Sequence, residues 1–136
     1  MSSHYNQNYS WEEINDILEK IKTCVYNDDF FIARNQNRQE NKDFLDNYNI
    51  RYGRQKNILL NLRVDDFCHS LNNINPGYEH EVLYVFVPSV ELFNADDIAE
   101  NVDIYIKVNI IESLGGNRVI VISFHELNRP IDYLFK

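Results

Sequence analysis

The sequence predicts a small α+β domain, and three patterns indicate it. A capped amphipathic helix begins near Ser10, a β-branched and aromatic run covers residues 81–87, and two alternating strands flank a glycine turn in residues 102–126. Helices in one part of a chain and antiparallel strands in another are typical of the α+β class. The 136 residues, 44% of them hydrophobic, suffice for one core. We therefore expect a single domain over residues 1–136.

The first half of the chain is predicted to be mainly helical. Ser10 and Glu13 have the spacing of a capping box, and the apolar residues that follow recur every three or four positions as far as about Tyr26. Residues 30–33 form a short apolar run that fits a buried strand, and residues 35–48 and 54–62 are interpreted as two further helices. Residues 1–9 are expected to be a flexible terminus.

The second half is predicted to be mainly strand. Residues 64–69 are expected to form a short helical turn, residues 81–87 a strand that Pro88 ends, and residues 88–101 an insertion loop. Alternation in the next strand places Val102, Ile104 and Ile106 on one face of the sheet. It places Tyr105 and Lys107 on the opposite face, beside His125 of the partner strand. Any chemistry is expected on that polar face.

Charge is distributed unevenly along the chain. The net charge is −8, which disfavours simple nucleic-acid binding, because such proteins need basic surface. Residues 34–63, however, carry seven Lys or Arg against three acids, whereas residues 64–101 carry eight acids and no Lys or Arg. Interleaved tyrosines at positions 48 and 52 could stack on single-stranded bases. The basic segment is therefore either an RNA track or simply the polar side of two helices; its basic residues are Arg34, Arg38, Lys42, Arg51, Arg54, Lys56 and Arg63.

Composition excludes several other classes. Cys24 and Cys68 have no metal-binding spacing, so neither a zinc site nor a disulfide framework is predicted. The chain has no signal-peptide pattern and no apolar run of about 18 residues. We expect a cytoplasmic protein without a cofactor or metal.

Three side chains on the hairpin are candidates for chemistry. His125 is a candidate because histidine suits proton transfer, although a histidine at a strand end also commonly binds a backbone carbonyl. Lys107 supplies a charge for an oxyanion, and Tyr105 supplies a hydroxyl or a stacking ring. The alternative for this pair is the ordinary solvent-facing alternation of a sheet, with the tyrosine packing across strands. His69 follows Cys68 directly, but neighbours in sequence rarely form a thiol–imidazole pair, so Cys68 is interpreted as a core residue.

Several segments together resemble the MqsR family of type II toxin-antitoxin toxins, in the form found in Gram-positive bacteria and their phages. The order and spacing agree over roughly residues 10–134. The matching segments are Phe31-Ile-Ala-Arg34, Val64-Asp-Asp-Phe-Cys68, Ile104-Tyr-Ile-Lys107, Ile122-Ser-Phe-His-Glu126 and Arg129-Pro-Ile-Asp-Tyr133.

The resemblance implies a RelE-like fold, with helices on one face of a short, mostly antiparallel sheet, and a metal-independent ribonuclease that cleaves messenger RNA. His125 would transfer a proton, Lys107 would stabilise the charged phosphorane, Tyr105 would orient or stack the nucleotide, and His69 could be the second proton-transfer group. The RNA-binding residues would be Arg34, Arg51, Arg54, Lys56 and Arg129. A cognate antitoxin would be the protein partner. In the best-known branch of the family, lysines stand where His125 and His69 fall here.

A second interpretation belongs to a different functional class. The same fold could serve as a non-catalytic binding protein, such as a phage-encoded inhibitor. Its acidic segment, residues 65–100, would then occupy a basic groove on the target.

Overall fold

The computed structural model describes residues 5–33 and 38–136. Within them it confirms the α+β prediction, with three helices and a six-stranded, mostly antiparallel sheet. The helices are α1 (Trp11–Tyr26), α2 (Gln39–Asn47) and α3 (Tyr52–Leu60). The strands are β1 (Phe30–Ile32), β2 (Phe67–Asn72), β3 (Val82–Phe86), β4 (Ser89–Phe93), β5 (Ala99–Ile111) and β6 (Arg118–Glu126).

Helix α1 begins at the predicted capping box. The backbone N–H of Glu13 donates to Ser10 Oγ at 3.1 Å, and the Ser10 N–H donates to Glu13 Oε1 at 2.8 Å. Both bonds satisfy amides that the first helical turn would otherwise leave without partners. The apolar stripe of α1 is buried, and its members are Ile14, Leu18, Ile21, Cys24 and Val25.

The sheet has the order β1-β6-β5-β3-β2. Strand β1 runs parallel to β6, and the remaining pairs are antiparallel. All three helices pack on the same face, because their buried side chains join those of the sheet in one core. The prediction of helices on one face is therefore confirmed. The opposite face, called here the second face, carries a smaller apolar cluster of Cys68, Val85 and Val87.

Residues 88–101 form a β-hairpin, which corrects the predicted insertion loop. Pro88 interrupts the strand but does not end its path, because its carbonyl accepts a hydrogen bond from the Ile104 N–H at 3.0 Å. Strand β4 then pairs with the start of β5 in the same register that β3 keeps with the later part of β5. Proline lacks only the N–H, so its carbonyl can still pair with a neighbouring strand.

Residues 64–72 also differ from the prediction. Val64–Asp66 is a single 3-10 turn, and the chain then enters the edge strand β2 and does not continue as a helical turn. The first four residues of β2 are all buried, so buried and exposed side chains do not alternate there. A register shift between Phe67 and His69 interrupts the pairing at the same place.

Residues 5–9 lie along β2 instead of forming the predicted flexible terminus. The Asn6 N–H donates to Ser70 O at 2.8 Å, and the Ser70 N–H donates to Asn6 O at 2.9 Å. The Gln7 side-chain amide donates to Cys68 O at 2.8 Å. These bonds satisfy backbone groups that an edge strand would otherwise leave free. Residues 1–4 lie outside the described residues.

A β-bulge in β6 separates its two halves. Lys107 pairs with Ser123, but the next residue of β5, Val108, pairs with Val121, so Ile122 is an extra residue. Simple alternation would put Val121, Ser123 and His125 on one face. The bulge instead leaves Val121 in the core and turns Ser123 and His125 to the second face.

Asn41 of α2 binds the bulge directly and is 1% exposed. Its Nδ2 donates to Ile122 O and to Ala33 O, both at 2.9 Å, and its Oδ1 accepts from the Phe124 N–H at 2.8 Å. A bulge removes backbone groups from the strand ladder, and a buried polar group without a partner destabilises a fold. The side chain of Asn41 therefore supplies the hydrogen bonds that the bulge cannot find in β5.

The C-terminal segment, residues 127–136, crosses the second face back towards β2. The Leu127 N–H donates to Asp103 O at 2.9 Å, the Tyr133 hydroxyl to Val87 O at 2.7 Å, and the Leu134 N–H to Phe67 O at 3.1 Å. Leu127, Ile131 and Tyr133 pack on the small apolar cluster of that face. In the described part of the chain, the helices are too short or too polar to cross a membrane.

Replacing Asn41 with Ala is expected to lower the free energy of unfolding by about 3 kcal/mol, since it leaves the Ala33 and Ile122 carbonyls and the Phe124 N–H unpaired. Urea denaturation measures the change. Asn47, an exposed residue of the same helix, provides the control. Asn47→Ala should change stability by less than about 0.5 kcal/mol. Equal effects of the two substitutions would contradict the importance of the bulge contact.

Candidate functional site

The hairpin brings Tyr105 and His125 together as the sequence predicts. They are opposite one another in the pairing of β5 with β6, and their rings stack with centroids 5.4 Å apart and planes at 24°. Lys107 lies one row further along, opposite the buried Ser123. All three side chains of the predicted set therefore lie on the second face, away from the helices.

A cavity of about 540 Å³ lies between the second face, residues 5–7 and residues 127–132. Four of the predicted site residues line it: His69, Tyr105, His125 and Arg129. The other lining residues are Tyr5, Gln7, Glu40, Leu127, Asn128, Pro130, Ile131 and Asp132. This volume is within the range typical of small-molecule sites, about 300–1,000 Å³. We call it the second-face cavity.

His69 reaches the cavity from the edge strand β2 and is only 7% exposed. Its ring contacts that of Tyr5, with centroids 4.3 Å apart. Burial lowers the pKa of His69 below its usual 6.5, and the Asp132 carboxylate opposes part of that shift. The ring is therefore held in its neutral form at pH 7, in which one nitrogen can accept a proton.

His125 makes a hydrogen bond that fixes its tautomer. Its Nδ1 lies 3.0 Å from the carbonyl oxygen of Glu126, and a carbonyl can only accept. Nδ1 therefore carries the hydrogen, which leaves Nε2 as the nitrogen that exchanges a proton. The strand-end carbonyl contact that was the alternative for His125 is present, and it is compatible with proton transfer by the other nitrogen.

Lys107 and Tyr105 are half-buried, which distinguishes them from ordinary exposed residues of a sheet. Burial lowers the pKa of Lys107, and the nearby charge of Arg38 lowers it further. No carboxylate among the described residues forms an ion pair with Lys107. Burial, with smaller effects of Tyr5 and Cys68, raises the pKa of Tyr105, so its hydroxyl remains a donor at neutral pH.

The predicted basic track does not reach this cavity in the part of the chain that the structure describes. Arg51 precedes α3, and Arg54 and Lys56 lie on it; α3 packs on the helix-bearing face. Lys56 Nζ is 2.9 Å from the Asp28 carboxylate, and Arg54 donates to Glu91 O at 3.0 Å. Arg129 lines the cavity, whereas Arg34 lies outside the described residues. Arg38, another residue of the basic segment, lies close enough to Lys107 to lower its pKa.

A thiol mechanism finds no support in the geometry. Cys68 is fully buried, and burial raises the pKa of its thiol to about 12. The thiol is therefore protonated at neutral pH, when it is a poor nucleophile. Over residues 5–33 and 38–136, no three His, Cys, Asp or Glu side chains come together as a possible metal site.

No local pattern marks two residues that shape the cavity. Tyr5 falls in a polar stretch for which we expect a flexible terminus, and Asp132 falls in the tail. Their positions depend on backbone contacts with β2 and β5, which no local pattern encodes. Asn41 is similarly hidden, because asparagine is abundant in this chain and its role depends on a distant bulge.

The lowered pKa of His69 predicts how stability depends on pH. Below about pH 6.5 the unfolded chain takes up this proton more readily than the folded chain. The contribution of His69 is therefore favourable above pH 6.5 and is lost as the pH falls from 6.5 through the folded pKa. An NMR titration of the His69 ring should give a midpoint below 6.5, with the urea-unfolded protein as reference. A folded midpoint at or above that of the unfolded chain would contradict the burial argument.

Comparison with known proteins identifies no relative. No family model matches the chain, and the searches of curated proteins and of solved structures found no match either. The residues of the second-face cavity are therefore the basis for inferring a function.

Proposed function

We propose that this chain is a metal-independent endoribonuclease that cleaves messenger RNA in the cytoplasm, as the toxin of a type II toxin-antitoxin pair. The observation that carries the proposal is the shared cavity of His69, Tyr105, His125 and Arg129. Two imidazoles can exchange protons near neutral pH, and the nearby cations suit a phosphodiester. The resemblance to MqsR toxins supports the same reaction.

In the proposed reaction, the 2′-oxygen of a ribose attacks the adjacent phosphorus. A new P–O2′ bond forms while the P–O5′ bond to the next nucleotide breaks, giving a 2′,3′-cyclic phosphate and a 5′-hydroxyl. The 2′-hydroxyl loses one proton and the leaving 5′-oxygen gains one. The enzyme therefore needs one base, one acid and groups that stabilise negative charge.

The two histidines have different environments, which suit these two roles. His69 is assigned as the base, because burial favours its neutral form. His125 is assigned as the acid in its imidazolium form, in which Nδ1–H stays bonded to Glu126 O and Nε2–H can donate to the leaving 5′-oxygen. Lys107, with Arg38 close by, would stabilise charge on the phosphorane oxygens. Tyr105 would orient the nucleotide with its ring or hydroxyl.

In this proposal a cognate antitoxin protein binds the toxin and restrains it. Induced expression should then arrest growth, and co-expression of the product of a neighbouring gene should relieve the arrest. Harmless expression of the wild-type chain would count against a toxin.

One observation favours a second candidate, a non-catalytic binding protein. The β4–β5 hairpin exposes Phe93 (53%) and Ile98 (59%), and the surrounding acids are also exposed. Apolar side chains among Glu91, Asp96 and Asp97 fit a basic partner with an apolar centre. This candidate predicts partner binding that His125→Ala leaves unchanged.

The His125→Ala substitution is expected to lower the cleavage rate of a defined RNA about 10²- to 10⁴-fold, since it removes the proposed acid. Product analysis should show a cyclic phosphate, and a 2′-deoxy residue at the cleaved position should block the reaction. Cleavage should persist in EDTA. His80→Ala, which alters an exposed loop histidine, is the matched control and should cleave normally. An undiminished rate for His125→Ala, with the fold intact, would disprove the assignment.

Lys107→Ala is expected to slow the chemical step about 10²- to 10³-fold, because a charge beside the phosphorane is lost. Single-turnover kinetics at saturating RNA separate this step from binding. Lys107→Arg should retain part of the activity. Lys42→Ala serves as control, because Lys42 is an exposed residue paired with Asp46 on α2. The same rate for both alanine variants would contradict a role for Lys107.

A further inference from the structure

The ring of Tyr5 has one covered face and one open side at the rim of the second-face cavity. One side contacts the His69 ring at 4.3 Å with an interplanar angle of 31°, yet the residue is 56% exposed. An exposed aromatic side chain is ordinarily mobile and contributes little to stability. Tyr5 instead lines a cavity whose other walls include His69, Tyr105 and His125.

The backbone around Tyr5 is fixed from two directions. Asn6 exchanges two backbone hydrogen bonds with Ser70, and the Gln7 amide donates to Cys68 O at 2.8 Å and to Asp132 O at 3.5 Å. The Tyr9 hydroxyl is 2.7 Å from Ser70 Oγ. The segment therefore joins β2 to the C-terminal segment, and the Tyr5 ring is held in place before any ligand binds. Such preorganisation lowers the entropy lost on binding.

We infer that Tyr5 is a stacking platform for an unpaired nucleobase of the RNA, next to the nucleotide that is cleaved. Aromatic side chains commonly bind single-stranded nucleic acid, because every base offers a π face. The His69 ring contacts one side of Tyr5 at an angle of 31°, so a nucleobase would stack on the open side. Arg129, which lines the same cavity, would hold an adjoining phosphate. This inference rests on the proposed function and adds the subsite that binds a base.

The stacking also links the position of the substrate to His69, the proposed proton acceptor of the reaction. A nucleobase on Tyr5 would exclude water from the open side of the Tyr5–His69 pair and would place its own ribose near His69. Tyr5 is therefore a positioning residue, which acts on binding and on the neutral state of His69 without touching the reacting atoms.

Binding of an uncleavable probe tests the inference separately from catalysis. The probe is a fluorescent single-stranded oligonucleotide with 2′-deoxy sugars, and a second probe of the same length contains abasic residues. Tyr5→Ala should weaken binding of the first probe at least about fivefold, as expected for the loss of one stacked base. It should leave binding of the abasic probe unchanged, while Tyr5→Phe and Tyr5→Trp should retain wild-type affinity.

Tyr78→Ala is the matched control, because Tyr78 is 55% exposed but lies in the loop between β2 and β3. Unchanged affinity in Tyr5→Ala, an equal loss for both probes, or a failure of Tyr5→Phe to retain binding would overturn the inference while leaving cleavage by His125 intact. If the wild-type chain binds neither probe and cleaves no RNA, the proposed function fails as well.

Discussion

Asn41 of α2 stabilises the bulge of β6, and the bulge decides which side chains each face of the sheet carries. Without the extra residue Ile122, the alternation of β6 would put Ser123 and His125 on the same face as Val121. The bulge allows one strand to fill the core at one end and to present polar groups at the other. The Asn41 amide donates to Ile122 O and accepts from the Phe124 N–H, and its second donor bond goes to Ala33 O after β1. Helix α2 is fixed to the sheet by the same bonds.

The two faces of the sheet have different contents, because one holds the main core and the other holds the second-face cavity. The helix-bearing face holds the main core, whereas residues 5–7 and 127–133 cover the second face. Neither end of the described chain has regular secondary structure, so backbone bonds to β2 and β5 determine their positions. These irregular segments provide the open walls of the second-face cavity. Elements with few buried contacts are also where proteins commonly place binding groups.

Local patterns predicted the elements whose signals are contained in a few neighbouring residues. The capping box located α1, and period-two alternation in β5 placed Tyr105 and Lys107 on one face. Strand β2 and the hairpin at residues 88–101 were missed, because a register shift and Pro88 break the patterns by which strands are recognised. The site was predicted in part: pairing across strands brought His125 to Tyr105, but the places of Tyr5 and Arg38 depend on tertiary contacts. A charge count does not reveal which face a helix covers, so the sequence could not show that Arg54 and Lys56 lie away from the second-face cavity.

The surroundings of Lys107 give a physical reason to associate the second face with anions. Burial and the neighbouring Arg38 both disfavour its charged form, so holding the two cations together costs stability. The neighbours of Lys107 in β5, Ile106 and Val108, are apolar and lie in the core on the opposite face of the sheet. A phosphodiester between the cations would offset the repulsion and replace the lost hydration of the ammonium group. Under the proposed function, phosphate binding would recover this cost, and most fully in a transition state that carries more negative charge.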